Sequence, residues 1–415
     1  MRKTFNITGD CKPELHYMVN IEERLRKIRS LIDRGEYITL NRARQYGKTT
    51  TLRALANFLQ DRYIVISIDF QTFGDAKFRN ENVFSLAFTK AVLRTLKKTT
   101  SPITEEMTVI LDSMERMLLR GEEKLELQEL FEVISDLCGQ SPLPMVLLID
   151  EVDSATNNQV FIDFLAQLRA YYIDRDQTPA FHSVVLAGVY DVKNLKLKIR
   201  PGDQHKMNSP WNIAVKLDID MSFSKEDIAG MLIQYEKDWQ TGMDISKMAG
   251  DIYDYTSGYP VLVSTLCKIM DETLPERSGY SSKPSAWTEG GLLEAVRLLL
   301  SEKNTLFESM ITKLRDYTEL KEMIRELLFT GKSIVYNPDN LAIDTAMMFG
   351  FVKVEDHTVR IANRIFETRL YNLFLSESAL MEDDLYKASL DEKAGFIQNG
   401  KLNMEQVLER FVLRI

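Results

Sequence analysis

Along the first ~220 residues, short apolar runs alternate with longer stretches in which apolar positions recur every three or four residues. The runs Tyr37–Leu40, Tyr63–Phe70, Met145–Asp150, Ser183–Val189 and Ile213–Ile219 read as strands. Asn82–Lys98, Thr104–Leu119 and Leu125–Leu137 read as amphipathic helices, so the connection between the second and third strands is a helical insertion. The alternation predicts an α/β fold, a parallel sheet with helices on both faces. Past Ile219 the strand signal stops, and Ser224-Lys-Glu-Asp227 resembles a helix N-cap with acidic residues in the first turn. Helical signals then continue to about Glu272, which predicts a small all-helical unit. Pro275–Gly291 is rich in Ser, Gly and Pro and reads as a linker. From Leu292 to Leu375 the pattern gives two helices, a third at Asn340–Phe349, a hairpin (Phe351–Val354, Thr358–Ile361) and a helix at Asn363–Leu375. That order is winged-helix-like. The predicted division is a sheet domain at 1–221, a helical unit at 222–274, a linker at 275–291, a winged-helix-like domain at 292–376 and a C-terminal helical tail at 377–415.

Composition narrows the class without changing that division. The chain has 415 residues, 45% hydrophobic and 27% charged, near the averages for soluble globular proteins. Its three cysteines, Cys11, Cys138 and Cys267, lie far apart with no CxxC pair, which excludes a disulfide framework and a zinc ribbon. A net charge of −9 argues against a protein that coats polyanions. No apolar run approaches the ~20 residues that cross a bilayer, and the two basic residues at the start precede no apolar stretch. A cytoplasmic protein without membrane partners is expected.

Chemistry enters at Asn41-Arg42-Ala43-Arg44-Gln45-Tyr46-Gly47-Lys48-Thr49-Thr50, which leaves a predicted strand and enters a predicted helix. In that context Gly47 lets the backbone approach a phosphate closely, and backbone N–H groups at the helix start face the anion. Arg44, Gln45, Tyr46, Gly47, Lys48, Thr49 and Thr50 are the candidate nucleotide-binding positions. Lys48 would reach the β- and γ-phosphates, and Thr49 would ligate Mg²⁺. The pattern GxxxxGK[ST] has its first glycine where this chain has Arg42. About one hundred residues later the apolar run Met145–Ile149 ends in Asp150-Glu151, which suits a Walker B strand. Asp150 would hold Mg²⁺ through water, and Glu151 would polarise the attacking water. Adjacent carboxylates also occur as strand ends and helix caps, but the order and spacing of the two motifs favour a nucleotide site.

Asn41–Thr51, Leu148-Ile-Asp-Glu-Val-Asp153, Leu186-Ala-Gly-Val-Tyr-Asp191 and Ile361-Ala-Asn-Arg-Ile-Phe366 together resemble the bacterial AAA-ATPase-like proteins. In that family the first loop glycine is commonly replaced by Arg, so the resemblance makes Arg42 an expected departure. The resemblance runs from about residue 5 to the C-terminus. It implies a P-loop ATPase of the catalytic-Glu type related to archaeal-type and STAND ATPases, with ATP and Mg²⁺ as ligands and residues 222–274 as a lid. Under the same resemblance, Thr256-Ser-Gly258-Tyr-Pro260 looks like the GxP turn of such lids, and Tyr17-Met-Val-Asn20 falls where relatives contact adenine. Longer members continue into a PD-(D/E)xK nuclease-like domain. The ~40 residues after Leu375 are too few for one, so no nuclease activity is expected.

Other positions leave alternatives open. Asp69 ends the second strand, near a metal or as a cap, and Asp153 caps the next helix or orients Glu151. The fourth strand ends in Ala187-Gly188-Val189, followed by Tyr190 and Asp191, without an evident sensor. Nothing selects an arginine finger among Arg42, Arg44, Arg169 and Arg200. His16, His182, His205 and His357 show no metal-ligand spacing. Lys193–Lys206 is a basic stretch better explained as a solvated loop than as a nucleic-acid surface. The third helix of the winged-helix-like unit has no Arg or Lys, so an interaction or autoinhibitory module suits it better than a base reader. The reading is an ATP-hydrolysing conformational switch with an unidentified protein partner. A nucleotide-dependent signalling module with little hydrolysis and a winged-helix DNA-binding regulator are the alternatives, nucleic acid being the less favoured partner.

Overall fold

Five strands form one parallel sheet in the computed structural model: β1 (Ile38–Asn41), β2 (Ile64–Asp69), β3 (Met145–Asp150), β4 (Ser183–Gly188) and β5 (Val215–Lys216), in the order β2-β3-β4-β1-β5. The structure describes residues 2–99, 101–120, 125–156, 158–189, 211–217 and 219–377, together with 397–398 and 401–402. Side chains alternate across the sheet with period two. Ile64, Ile66, Ile68, Leu147, Ile149, Val184 and Leu186 pack under α3 (Glu81–Leu96), α4 (Glu105–Arg120), α5 (Leu127–Gly139) and α6 (Gln159–Ile173). Ile38, Leu40, Val65, Val146, Leu148 and Val185 pack under α1 (Glu22–Asp33) and α2 (Lys48–Leu59). Burial on both faces is why the strands read as continuous apolar runs. The helical insertion between β2 and β3 is α3 to α5, as expected.

The fifth strand is shorter than Ile213–Ile219. Only Val215 and Lys216 pair with Ile38 and Thr39, and both are exposed at the sheet edge. The Leu217 N–H still donates to Thr39 O at 3.0 Å, and its side chain enters the core beneath α1 and α2.

The remaining helices are α7 (Lys225–Trp239), α8 (Ile245–Thr256), α9 (Pro260–Lys268), α10 (Lys283–Ala286), α11 (Glu289–Ser301), α12 (Thr305–Asp316), α13 (Thr318–Phe329), α14 (Leu341–Met348) and α15 (Arg364–Ser376). Their starts carry the expected chemistry. Ser224 Oγ accepts from Asp227 N–H at 3.1 Å while Asp227 Oδ2 accepts from Ser224 N–H at 3.0 Å, a closed capping box worth about 1 kcal/mol. Asn340 and Asn363 cap α14 and α15 one-sidedly, their side chains accepting backbone N–H groups of the first turn. Three short strands, β6 (Ile334–Val335), β7 (Val352–Glu355) and β8 (Thr358–Ile361), form an antiparallel sheet in the order β6-β8-β7. All of these elements share one apolar core, which also takes in Phe5, Tyr17 and Val19 from the N-terminus.

Residues 275–291 are a packed element and not a linker. Ala286 and Trp287 are buried, Trp287 at 2% exposure, and a Cβ on Gly291 would stand 1.9 Å from the Ala286 carbonyl oxygen. A buried polar chain ties the segment to α7: the Trp287 indole donates to Tyr235 Oη (2.8 Å), the Tyr235 hydroxyl donates to Asp271 (2.6 Å), and Lys283 pairs with Asp271. Ser, Gly and Pro serve here as cap, close approach and helix start, which composition alone does not separate from a flexible spacer. The tail expected to be helical lies outside the described residues except where Ile397–Gln398 pairs antiparallel with Lys401–Leu402. The sequence between those strands is Asn399-Gly400, the dipeptide that tight hairpins favour.

Candidate active site

The ends of β1, β3 and β4 lie side by side, and the candidate chemistry gathers above them. After Asn41 the chain turns through a loop in which Gln45 (φ 61°) and Gly47 (φ 79°) take left-handed conformations, and α2 starts at Lys48. Gly47 meets the left-handed requirement without a Cβ penalty. The N-terminal turn of α2 therefore faces the loop with its free N–H groups.

Arg42, at the position of the usual first glycine, ties the loop down. Its guanidinium donates to the carbonyls of Asn41 (2.9 Å) and Ile219, and its N–H donates to Gly188 O (3.1 Å). The loop is thereby fastened to the end of β4 and, at Ile219, to the chain between β5 and α7.

Lys48 is 6% exposed, and its ammonium donates to the carbonyls of Arg42 (3.0 Å) and Ala43 (3.1 Å). Burial lowers its pKa, opposed by the negative charges of Asp153, Glu151 and Asp150. The two motifs lie at the same end of the sheet, since β1 and β3 run parallel with β4 between them. Asp150 is buried at the end of β3 and accepts the Glu151 N–H at 2.9 Å. Glu151 has a left-handed backbone (φ 53°), which swings its half-buried carboxylate off the strand direction. Burial raises its pKa, Lys48 pulls it down, and Asp150 and Asp153 push it up again.

Asp153 is held at the end of β4. Its Oδ2 accepts the Val189 N–H at 2.6 Å, and its Oδ1 lies 2.9 Å from where a Cβ on Gly188 would stand. Gly188 is thus required for that carboxylate to sit over the end of β4. Asp69 caps the turn after β2 by accepting from Gln71 N–H at 2.9 Å, and it pairs with Asp150 across the ladder. Arg169 lies within α6 with a buried Nε that has no hydrogen-bond partner among the described residues. Tyr190, Asp191, the basic stretch Lys193–Lys206 and Arg200 lie outside the described residues.

Beside the loop is a cavity of about 360 Å³. Gln45, Tyr46, Gly47 and Thr50 form one wall, Tyr17, Met18 and Val19 another, and Phe223, Pro260 and Val261 a third. Thr50 Oγ1 accepts from the Cys11 N–H at 3.2 Å, so the N-terminal segment is held directly on α2. The turn Thr256–Pro260 is placed by Gly258 (φ 71°), where a Cβ would stand 2.0 Å from the Phe223 carbonyl oxygen. The turn delivers Tyr259 onto the loop. Its hydroxyl donates to Arg44 O at 2.7 Å, and its ring lies 4.3 Å from that of Tyr46. Gln45 Nε2 donates to Thr305 Oγ1 at 3.3 Å, and a Cβ on Gly350 would stand 2.9 Å from Ala43 Cβ. Sequence reading missed these loop contacts, because they join residues more than two hundred positions apart.

The oxygen donors suit a hard cation. Among the described residues no group of three or more His, Cys, Asp or Glu could hold a metal alone. The Thr49 hydroxyl and the Asp150 carboxylate are the oxygens that would hold Mg²⁺, a small protein share of the kind this ion takes when phosphate and water complete its shell. No helix among the described residues is long and apolar enough to cross a membrane.

Residues 15–377 match the family model described as AAA-like domain. No curated protein matches the chain. Among solved structures, a Walker-type ATPase of Pyrococcus abyssi is similar at 16% identity and a TM-score of 0.55, over 88% of this chain and 99% of that one. The Aeropyrum pernix ORC2 protein in ADPNP–ADP complexes is similar at 13% identity and a TM-score of 0.47, over 89% and 93%. The Thermotoga maritima RuvB Holliday junction branch migration motor is similar at 12% identity and a TM-score of 0.36, over 84% and 94%. At 16% identity the first likeness is one of fold.

Proposed function

The chain belongs to the AAA-like domain family and has a P-loop NTPase fold, and on that premise we propose that it binds and hydrolyses ATP and uses the nucleotide as a conformational switch. The observation that carries the reading is that the loop leading from β1 into Lys48 and the carboxylates Asp150 and Glu151 at the end of β3 stand at the same end of one parallel sheet, with β4 between their strands. Arg44, Gln45, Tyr46, Gly47, Thr49 and Thr50 bind the phosphates and the nucleoside, the base entering the cavity between the loop and Tyr17–Val19. Lys48 exchanges its two carbonyl partners for phosphate oxygens, which stabilise its charge better. Thr49 and Asp150 would hold Mg²⁺, which when bound neutralises charge on the phosphate oxygens. Glu151 orients the attacking water and accepts its proton; its raised pKa brings it closer to the working pH of a general base. Because the Gly258 turn and α12 rest on the same loop, a change in the loop is carried into both bodies.

ATP turnover by wild type, Lys48→Ala and Glu151→Gln tests this. Both variants are expected to lose at least about 100-fold, the range of a missing general base. Lys48→Ala should also weaken binding, whereas Glu151→Gln should retain it. Equal turnover in all three proteins rules out the enzymatic reading.

A second reading, a nucleotide-dependent module with little hydrolysis, is favoured by the Tyr259–Arg44 bond, which holds the turn against the loop and opposes exchange. Tight ATP binding by wild type, with turnover no faster than Glu151→Gln, would support it over the first.

A further inference from the structure

β2 is an edge of the parallel sheet, and among the described residues it pairs only with β3. A groove of about 580 Å³ runs along its open side, between α2 and α3. In a parallel ladder successive residues turn their peptide groups to opposite sides. The Ile64 N–H donates to Pro144 O at 3.1 Å, towards β3, so the peptide groups of Val65 and Ser67 turn outward into the groove. One of these acceptors is covered only in part. The Thr95 hydroxyl lies 3.2 Å from Ser67 O and 3.0 Å from Ala91 O, and its single proton is shared between them. The helix positions that border the edge are Ala56 on α2 and Ala87 and Ala91 on α3, side chains too small to fill it.

The groove is cationic in a chain whose net charge is −9. Lys90, Arg94 and Lys98 line it from α3 and the turn that follows, and Lys77 from the segment between β2 and α3. All four are exposed, and none forms an ion pair with a described residue. Asp69, which caps the turn at Gln71, is the one carboxylate among the described lining residues. Lys90 and Arg94 stand one helical turn apart, about 6 Å along the axis, and Lys98 continues the same spacing in sequence. Alternate side chains of an extended chain repeat every ~6.6 Å. A strand with a carboxylate at every second residue therefore meets these cations nearly in step. Cations at an edge also deter pairing with other strands, but an acidic strand turns that barrier into an attraction. The aromatic residue among the described lining residues, Phe73, is buried, so the groove offers no ring on which a nucleic-acid base would stack.

We propose that this groove docks an extended acidic segment of a partner protein, which adds as a strand beside β2 and sets its carboxylates against Lys90, Arg94 and Lys98. Main-chain hydrogen bonds to the edge supply affinity, and the row of cations selects the sequence. The groove ends at Asp69, the ladder partner of Asp150, so the docked strand lies one strand away from β3. Docking here is independent of the ATP reading.

The test is the affinity of the full-length protein, without nucleotide, for a short fluorescent peptide in which glutamate alternates with valine. Lys90→Glu and Arg94→Glu reverse the charge of the groove. Lys247→Glu, at an exposed pair with Glu289 on the helical body, makes the same change of net charge elsewhere. Wild type should bind saturably, each groove variant at least about tenfold more weakly, and the control within about twofold of wild type. Two N-methylated forms of the peptide, one for each set of alternate amides, keep the charges and remove the donors on one edge. One of the two should bind at least about tenfold more weakly than the parent. Thermal unfolding of the variants confirms that the exposed substitutions leave the fold intact. No saturable binding by wild type up to about 1 mM peptide overturns the proposal. Equal binding by the groove variants, or by both N-methylated forms, also overturns it, and so does an oligothymidylate of equal charge that binds wild type as tightly as the peptide. Each of these failures leaves the ATP reading untouched.

Discussion

Glu151 holds a carboxylate where burial disfavours its charge. A carboxyl whose pKa rises on folding binds its proton more tightly in the folded state. The stability it contributes is complete below the ordinary glutamate value and is lost as pH rises through the folded value. At neutral pH the ionised group therefore opposes folding, and Glu151→Gln should unfold at a higher temperature than wild type. The gap should close as pH is lowered below the ordinary glutamate value of about 4.3, where the carboxyl is protonated in the folded and the unfolded state alike. Thermal melts at both pH values check this, and a variant that melts lower at neutral pH refutes it. At this scale the sequence was informative about chemistry and less so about support. Gly47, Lys48, Asp150 and Glu151 stand out in the sequence because phosphate and water chemistry, where a site performs it, demands those residue types in strand–loop–helix order. The bond from Arg42 to Ile219 O and the seat of Asp153 over Gly188 depend on which strands lie side by side, which no local pattern states.

Elements were legible where one physical signal dominates. Strands buried on both faces produce uninterrupted apolar runs, so β2, β3 and β4 fall within a residue or so of the expected spans. Caps mark α7, α14 and α15 equally well. Residues 275–291 failed because turn residues dominate their composition, while the segment is anchored by one aromatic side chain. Trp287 fills the space between α7 and Phe5, and its indole N–H completes the chain to Asp271. Trp287→Ala should therefore cost about 3–5 kcal/mol, the range for truncating a buried aromatic residue. Chemical denaturation should show that loss. A true linker residue would change stability by no more than about 0.5 kcal/mol.

The whole molecule is set by contacts that cross from one body to another at the loop. Tyr259 is the clearest of them, since a single hydroxyl joins the Gly258 turn to Arg44 O while the ring packs on Tyr46 and Phe366. Burial raises the pKa of that hydroxyl well above the ordinary tyrosine value, so it remains a donor throughout the physiological range. Tyr259→Phe keeps the ring contacts and removes only the hydrogen bond, a loss of about 1 kcal/mol. If the bond holds the turn closed over the nucleotide cavity, that loss should appear as release of ADP about fivefold faster, since 1 kcal/mol is a factor of about five. The unfolding temperature should fall by only a few degrees. The comparison to make is stopped-flow release of a fluorescent ADP from wild type and Tyr259→Phe at the same temperature. Unchanged release with a lowered melting point would make Tyr259 a packing residue alone. Faster release would show that the turn and the helices behind it move with the loop, which a nucleotide-driven switch requires.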